Sequence, residues 1–374
     1  IVGAVVAIIV VTSTLTFGTS LRTLVSHPPL YGWNWNYALL SGFGGNEDLP
    51  LPQVTALLNH DPYVSAWSGV YFADVTVDGT RVPAIAASPN ATVSPPVLTG
   101  HALDQPNEIV LGATTLADLH KHVGDTVQVN TGSKRLTALR IVGTATLPAM
   151  GTSGNPHTTM GTGAIVDYQL IPPNQRNVQG SPIPGPNAVL IRIHRTTNPT
   201  AALRSLQQIN NTINTPKGGG GDNAGGIVGV LRPAEIVNYR SMGTTPALLS
   251  TALAVGATAA LALTLIASVR RRRRELALLK AIGFTRRQLA AVIAWQSTIA
   301  ITIGVVVGVP LGIIAGRALW DLFARAIHAV PQPTIATTTV ALIAIVALVL
   351  ANVVAAIPGI QAARTRTALL LHAE

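Results

Sequence analysis

Four runs of this 374-residue chain carry no charged side chain, and each is apolar over more than the roughly 20 residues needed to cross a bilayer. They are residues 1–21, 246–269, 288–316 and 340–363. Between the first and second lies a stretch, 22–245, whose apolar residues recur at short intervals in strand-like and helix-like patterns. The pattern predicts an α-helical membrane protein with four transmembrane helices and a mixed α+β domain inserted between helices one and two. Within the insert, residues 70–77 and 81–87 flank Asp78-Gly79, a dipeptide suited to the positive φ angles of a tight hairpin turn. Residues 108–112 read as a short strand, 115–122 as a helix ended by Gly124, and 126–130, 136–147 and 188–194 as strands. Asn198-Pro199 reads as a cap followed by proline at the first helical position, starting a helix that runs to about residue 213. The alternating Pro182, Pro184 and Pro186 mark a loop, and the glycine-rich 217–226 reads as a mobile connection.

Charge sets the orientation. The segment 270–287 opens with Arg270, Arg271, Arg272, Arg273 and Arg274 and closes with Arg286 and Arg287, and it lies between two of the apolar runs. Positive charge in a short loop between spans places that loop in the cytoplasm. The tail 364–374, with Arg364 and Arg366, lies two spans further on and so on the same side. The insert 22–245 and the loop 317–339 are then extracytoplasmic, in a multi-pass protein of the plasma membrane. The net charge is +10, yet residues 22–240 hold thirteen Lys or Arg against twelve Asp or Glu. The basicity is therefore juxtamembrane, which suits anionic lipid headgroups and argues against nucleic acid as a partner. The chain has no cysteine, which excludes thiol chemistry; a domain of this size buries a core without disulfides. It opens inside an apolar run without Met or basic residues, and on that ground is expected to be a piece of a longer polypeptide.

The basic loop has internal structure. Leu276, Leu279 and Ile282 recur at three-residue spacing and form one apolar stripe, as expected of a short helix lying along the membrane face. Gly283 fits the left-handed position just past a helix end. Thr285 and Gln288 match a capping box, and Phe284 with Leu289 a hydrophobic staple, so a new helix is expected to start there. In the third run Gly304, Gly308, Gly312 and Gly316 recur every four residues, placing four Cβ-less positions on one face where another helix can approach. That helix can belong to this chain or to a second subunit. Pro310 is expected to bend the span.

Catalytic chemistry finds little support. His120 and His122 beside Asp118 have two-residue spacing, which on a helix points them to different sides, so no metal site is expected. Asp61, Asp74, Asp78 and Asp104 form no ligand spacing, and Ser153 lacks a nucleophile-elbow pattern. No phosphate-cradling Gly-x-x-x-x-Gly-Lys-Ser/Thr occurs. The spans hold no charged residue, which argues against a proton- or ion-driven carrier. The chain is expected not to be an enzyme and to hold no cofactor of its own. Tyr31, Trp33, Trp35 and Tyr37 follow the first span, where an interfacial aromatic belt and a stalk packed onto the external domain are equally compatible with the pattern.

The order of span, external domain, span, arginine-rich loop, span and span resembles the FtsX-like permease family of ABC transporters, of the MacB and lipoprotein-release type. The loop Arg274-Glu275-Leu276-Ala277-Leu278-Leu279-Lys280-Ala281-Ile282-Gly283-Phe284 and the ending Ile357-Pro358-Gly359-Ile360-Gln361-Ala362-Ala363-Arg364 are similar to that family's motifs. Glu108-Ile109-Val110-Leu111-Gly112 and Val123-Gly124-Asp125-Thr126-Val127 are similar to its MacB-like core domain. Tyr31-Gly32-Trp33-Asn34-Trp35 resembles actinobacterial members with two permease halves in one polypeptide, of which this chain would be the C-terminal half. Thr367-Ala368-Leu369 departs from the family, many members of which have a proline before Ala-Leu.

The resemblance implies a permease subunit driven by a separate cytoplasmic ABC ATPase dimer, which binds the ATP and grips the short helix after the second span. On this chain that helix gives Arg274, Glu275, Leu276, Leu279, Lys280, Gly283 and Phe284 as ATPase-coupling residues, and Gly304, Gly308, Gly312 and Gly316 as helix-packing residues. The implied partners are the ATPase dimer, a second permease half or subunit, membrane lipids, and an extracellular lipoprotein or cell-wall hydrolase. Two functions follow: export or extraction of a lipid, lipoprotein, peptide or drug, or an FtsX-like signalling scaffold that activates a cell-wall hydrolase and carries nothing. Both require the arginine loop to be inside. In this cysteine-free chain, a single Ala281→Cys reporter is expected to react with a membrane-impermeant maleimide only after the cells are permeabilised; labelling in intact cells would reverse the topology.

Overall fold

The computed structural model describes residues 2–42, 45, 47–132, 136–151, 157–173, 185–213, 225–233, 236–238 and 285–333, with scattered positions in 248–267 and 338–353. The coupling residues Arg274, Glu275, Leu276, Leu279, Lys280, Gly283 and Phe284 lie outside the described residues. So do Ser153, Pro182, Pro184, the glycine-rich 217–224, the tail 364–374 and most of the second and fourth expected spans. The chain divides into two compact units. One comprises Ile1–Thr23, Asn238–Phe323 and Gln332–Glu374, the other Leu24–Val237 and Ala324–Pro331.

In the second unit ten strands form one sheet: β1 (Tyr37–Leu40), β2 (Val64–Val77), β3 (Thr80–Ala87), β4 (Val97–Gly100), β5 (Glu108–Gly112), β6 (Thr126–Asn130), β7 (Thr137–Ala145), β8 (Ala164–Asp167), β9 (Ala188–Ile193) and β10 (Gly226–Val228). Their order is β10-β1-β9-β2-β3-β8-β5-β7-β4, with β6 pairing β2 and β7. The 14-residue β2 joins the two halves, because its start pairs with β9 from Val64 to Val70 and its end with β3 from Val70 to Val77. The β2–β3 turn is the expected Asp78-Gly79 pair, with φ of 46° and 90°, both in the left-handed region that a two-residue hairpin requires. Pairs β3–β8 and β5–β7 are parallel, which gives the mixed topology.

Side-chain alternation leaves buried clusters; besides a smaller one of Leu103, Val110, Val142, Ala145, Leu147 and Ile165, there is one on each half of the sheet. On one half of the sheet Val75, Val77, Val82, Ala84, Ile109, Leu111, Val127, Leu139, Ile141, Ala164 and Val166 pack together, each nearly inaccessible to solvent. On the other half α2 (Leu51–His60) and a later helix, Pro199–Ile213, cover β1 and β9. α2 buries Val54 and Leu58 against Leu39, Val189 and Ile191, and Pro199–Ile213 buries Ala202, Leu206 and Ile209. Those residues stand three or four apart, one stripe of a helix. The expected cap is present, Asn198 Oδ1 accepting from Thr200 N at 3.0 Å.

Several boundaries differ from the sequence reading. α3 spans only Ala113–Asp118, not 115–122. His120 takes the left-handed conformation, φ 54°, while its N–H reaches the Ala117 carbonyl (3.0 Å) and that of Lys121 the Leu116 carbonyl (3.2 Å), a Schellman closure made without glycine. Gly124, at φ 106°, instead delivers its N–H to Ile141 O at 2.7 Å. α2 has Pro50 at its N-cap and Pro52 in its first turn, where proline is tolerated because no N–H is needed. With α1 (Val2–Ser26), α4 then denotes Pro199–Ile213 and α5 Arg286–Ala326.

α1 and α5 are both longer than the apolar runs that predicted them. α1 runs past residue 21, and α5 continues ten residues beyond Gly316 because Arg317 to Ala326 contains neither Gly nor Pro to stop it. The extension takes Arg317, Asp321 and Arg325 out of the expected external loop and onto the helix. Among the described residues two helical segments are long and apolar enough to cross a membrane, Val5–Ser26 and Thr302–Ala326. Ile141 is fully buried in the first core cluster, so Ile141→Ala is expected to cost about 2–5 kcal/mol, read as a lowered midpoint of thermal unfolding of the full chain in detergent.

Candidate functional site

In the unit that holds most of both long helices, α1 and α5 run parallel along a seam of small residues. A Cβ added at Gly308 would lie 2.9 Å from Ile8 Cγ2, one at Gly312 would lie 2.7 Å from Thr12 Cβ, and one at Gly316 would lie 2.7 Å from Thr16 Cβ. Each glycine thus faces the α1 residue numbered 300 lower, so the register is constant over two turns. Such proximity is open only to residues without a Cβ. Gly304 is also buried. The helix packed onto this face belongs to the same chain.

Sequence reading missed the α1 side of the seam, although its signal was present. Thr12, Thr16 and Ser20 repeat every four residues, the glycine period, and all three are buried, as is Ser13. Thr16 and Ser20, with the neighbouring Thr14 and Thr23, find acceptors on their own helix, whereas Thr12 Oγ1 is buried with no hydrogen-bond partner among the described residues. Thr14 Oγ1 donates to Val10 O (2.8 Å), Thr16 to Thr12 O (2.8 Å), Ser20 to Thr16 O (2.9 Å) and Thr23 to Thr19 O (3.0 Å). A hydroxyl that turns back onto the preceding turn needs neither water nor a partner helix, which makes Ser and Thr compatible with an apolar surrounding. Above the seam the small residues give way to rings: Phe17 stands edge-on to Trp320 at 5.7 Å and to Phe323 at 5.3 Å between centroids. Trp320 is fully buried.

The start of α5 is a formed capping box. Gln288 Oε1 accepts from Thr285 N (2.8 Å) and Thr285 Oγ1 (2.9 Å), while Gln288 N reaches Thr285 Oγ1 at 3.4 Å. Two N–H groups that have no carbonyl partner at a helix start are thereby satisfied.

In the sheet unit, the residues that follow α1 and α5 meet. Val330 N donates to Leu30 O at 2.9 Å, again a separation of 300 in sequence. His328 takes φ 57°, its carbonyl accepts from Thr146 Oγ1 (3.0 Å), and its Nε2 lies 3.1 Å from Thr114 Oγ1. The ring occupies the space over Gly161, where an added Cβ would come within 2.5 Å of His328 Cγ. The segment 324–331, expected to be part of a plain loop, is therefore a strap bonded to Thr146, just past β7, and to Thr114 at the start of α3. The aromatic cluster beside it is a packed foot and not an interfacial belt: Tyr31, Trp33 and Trp35 are buried, Trp33 and Trp35 with centroids 4.9 Å apart, and Tyr37 lies in β1. Burial raises the Tyr31 phenol above its ordinary pKa, the Arg232 charge opposing it.

The remaining polar candidates have structural partners. Asp74 pairs with Arg81 and Asp78 with Lys121 at 3.3 Å. Asp61 accepts from Tyr63 N (2.8 Å) and from the Ser205 hydroxyl. His120 Nδ1 lies 3.0 Å from Asp118 O, and His122 Nδ1 3.7 Å from Asp125 Oδ2. Because α3 stops at Asp118, neither histidine is on a helix at all.

The seam makes a direct demand on sequence. Gly312→Leu, which places a side chain where Thr12 and the Ile9 carbonyl already stand (2.7 and 2.8 Å), is expected to force the helices apart at a cost of about 1–3 kcal/mol or more. A thermal midpoint in detergent equal to that of the parent chain would show that the seam carries no packing.

Comparisons with known proteins converge on both parts of the chain. The family model for the MacB-like periplasmic core domain matches residues 1–209, and that for the FtsX-like permease C-terminal region matches residues 247–367. No curated protein matches the chain. Among solved structures, the periplasmic region of MacB from Actinobacillus actinomycetemcomitans is similar at 13% identity, over 53% of this chain and 90% of that one, with a TM-score of 0.35. A domain of a putative permease from Porphyromonas gingivalis matches at 12% identity over 56% and 98%, TM-score 0.34. The extracellular domain of the noncanonic ABC-type transporter YknZ from Gram-positive bacteria matches at 9% over 52% and 98%, TM-score 0.34. With the first model covering more than half of the sequence and the second most of the remainder, the chain belongs to the MacB-like, FtsX-like family of ABC-type permeases and is a membrane protein.

Proposed function

We propose that this chain is the transmembrane subunit of an ABC transporter of the MacB type, in which a separate cytoplasmic ATPase does the hydrolysis and the extracytoplasmic sheet domain moves in response. The observation that carries the reading is the succession, on one polypeptide, of a MacB-like periplasmic core at 1–209 and an FtsX-like permease region at 247–367. The helix pair supports it. α1 and α5 run parallel and so start on one side, the side of the basic loop, and the residues that follow both helices are bonded together in the sheet unit. Four spans complete the subunit, the second and fourth being 246–269 and 340–363.

The ATPase dimer is proposed to grip the helix 275–282 in the cytoplasmic loop, with Arg274, Glu275 and Lys280 offering charge, Leu276 and Leu279 an apolar stripe, and Gly283 and Phe284 the turn into the Thr285–Gln288 box. A pull or push there acts on the start of α5 without slack, because the cap fixes where that helix begins. The cargo is a lipid, lipoprotein, peptide or drug exported or extracted from the outer leaflet. A second permease half completes the assembly.

Glu275→Lys reverses a charge at the proposed grip and is expected to reduce co-purification of the ATPase at least tenfold while membrane insertion is unchanged. Equal recovery of the ATPase would remove Glu275 from the contact. Stimulation of the complex's ATPase by a substrate distinguishes transport from a signalling scaffold, which would instead capture an extracellular hydrolase.

A further inference from the structure

The uncharged run 288–316 is helical throughout and is bracketed by two arginines of α5, Arg287 and Arg317. They stand thirty residues apart, about 45 Å along the axis at about 1.5 Å per residue. A bilayer with both headgroup layers measures about 40–45 Å. With Arg287 among the headgroups of one leaflet, Arg317 therefore stands among those of the other.

An exposed apolar stripe leads up to Arg317. Ile303, Val306, Pro310 and Ile314 stand three or four apart and so share one face of the helix. Val306, Pro310 and Ile314 each lie two residues before a seam glycine, which at about 100° per residue turns them about 200° away from the face packed on α1. Val306 is 66% and Ile314 63% exposed. Arg317 follows Ile314 by three residues and Pro310 by seven, so it continues this face, and it too is exposed. Its guanidinium has no ion-pair partner among the described residues. Asp321, one turn further on, does not neutralise it: Oδ1 of that carboxylate is buried without a hydrogen-bond partner. An arginine at the outer end of a span runs against the inside-positive bias. The anion that a bilayer itself places at this depth is the lipid phosphate, whose oxygens the planar guanidinium fork matches with two parallel N–H donors.

We infer that this face of α5 binds a diacyl phospholipid of the outer leaflet, its phosphate held by Arg317 and an acyl chain lying along Ile314, Pro310, Val306 and Ile303. The lengths agree. Ile303 stands fourteen residues before Arg317, about 21 Å along the axis, which covers the about 15 Å depth of one leaflet's hydrocarbon and reaches the headgroup layer. The choice of leaflet rests on the proposed orientation, whereas the contact does not. External labelling at Ala281→Cys would move the site to the inner leaflet and leave the contact intact.

The test is photo-crosslinking of the full chain in phosphatidylcholine vesicles that carry a trace of phosphatidylglycerol with a diazirine in its acyl chain or, separately, of diacylglycerol with the same chains. Adducts are mapped by peptide mass spectrometry. Phosphatidylglycerol is expected to label Ile303, Val306 and Ile314 at least fivefold more than diacylglycerol does. Arg317→Gln should bring that yield down to the diacylglycerol level and Arg317→Lys should keep most of it, while labelling of Trp295 and Ile299, exposed in the other half of the helix, stays the same and reports correct insertion. Excess inorganic phosphate should leave the yield unchanged. Equal yields from the two lipids in the parent chain would overturn the proposal, and that comparison decides the matter if Arg317→Gln does not insert. So would a yield retained in an inserted Arg317→Gln, or a yield suppressed by inorganic phosphate, which would make a free anion the ligand. Absence of adducts at 303–314 from either lipid would also overturn it, by showing that protein covers the stripe.

Discussion

The close approach of α1 and α5 along Gly308, Gly312 and Gly316 is the contact on which the membrane part of this protein depends. Between helices in an apolar surrounding there is no hydrophobic gain from leaving solvent, so association comes from van der Waals packing at short range. That requires backbones to come near each other, and only a face without Cβ atoms allows it. The partner face on α1 is built to match. Thr16 and Ser20 give their hydroxyls to carbonyls four residues back and so present small, internally satisfied surfaces, while the hydroxyl of Thr12 is buried with no such partner among the described residues. The pairing has one register, Ile8 with Gly308, Thr12 with Gly312, Thr16 with Gly316, because a slip by one residue would drive a side chain into a backbone.

The segments after both helices keep a related arrangement inside the sheet unit, where Leu30 O and Val330 N meet. The chain from α1 turns through Pro28–Tyr31 into the buried Trp33 and Trp35 and then into β1. That from α5 passes through His328, pinned by Thr146 and Thr114. Within the sheet unit, hydrogen bonds and buried rings hold the segments that follow both helices.

Much of this was legible in local sequence. The Asp78-Gly79 turn, the strands 108–112 and 126–130, the Asn198 cap and the Thr285–Gln288 box appear where short-range chemistry puts them, because each depends on residues within a few positions of one another. The glycine period was legible as a face, though not the identity of its partner helix. The early end of α3 was hidden, since a histidine performs the left-handed closure normally expected of glycine. The strap at 324–331 was hidden as well, because Thr114, Thr146 and Leu30 stand 180 to 300 positions away from the groups they bond.

By itself, the sequence determined what each segment can be: which runs are apolar enough to span, where positive charge collects between them, where turns and caps fall, and which helix face can be approached closely. These are matters of composition and spacing along a few residues. Tertiary structure decided which faces meet. It matched the glycines of α5 to Ile8, Thr12 and Thr16 of α1, chose the packed foot over the interfacial belt for Tyr31, Trp33 and Trp35, and carried α5 past its expected end. Which faces meet depends on contacts between residues far apart in the chain, settled by packing and hydrogen-bond satisfaction in three dimensions; the four-residue period of Thr12, Thr16 and Ser20 shows a small-residue face in the sequence but not the partner it packs against.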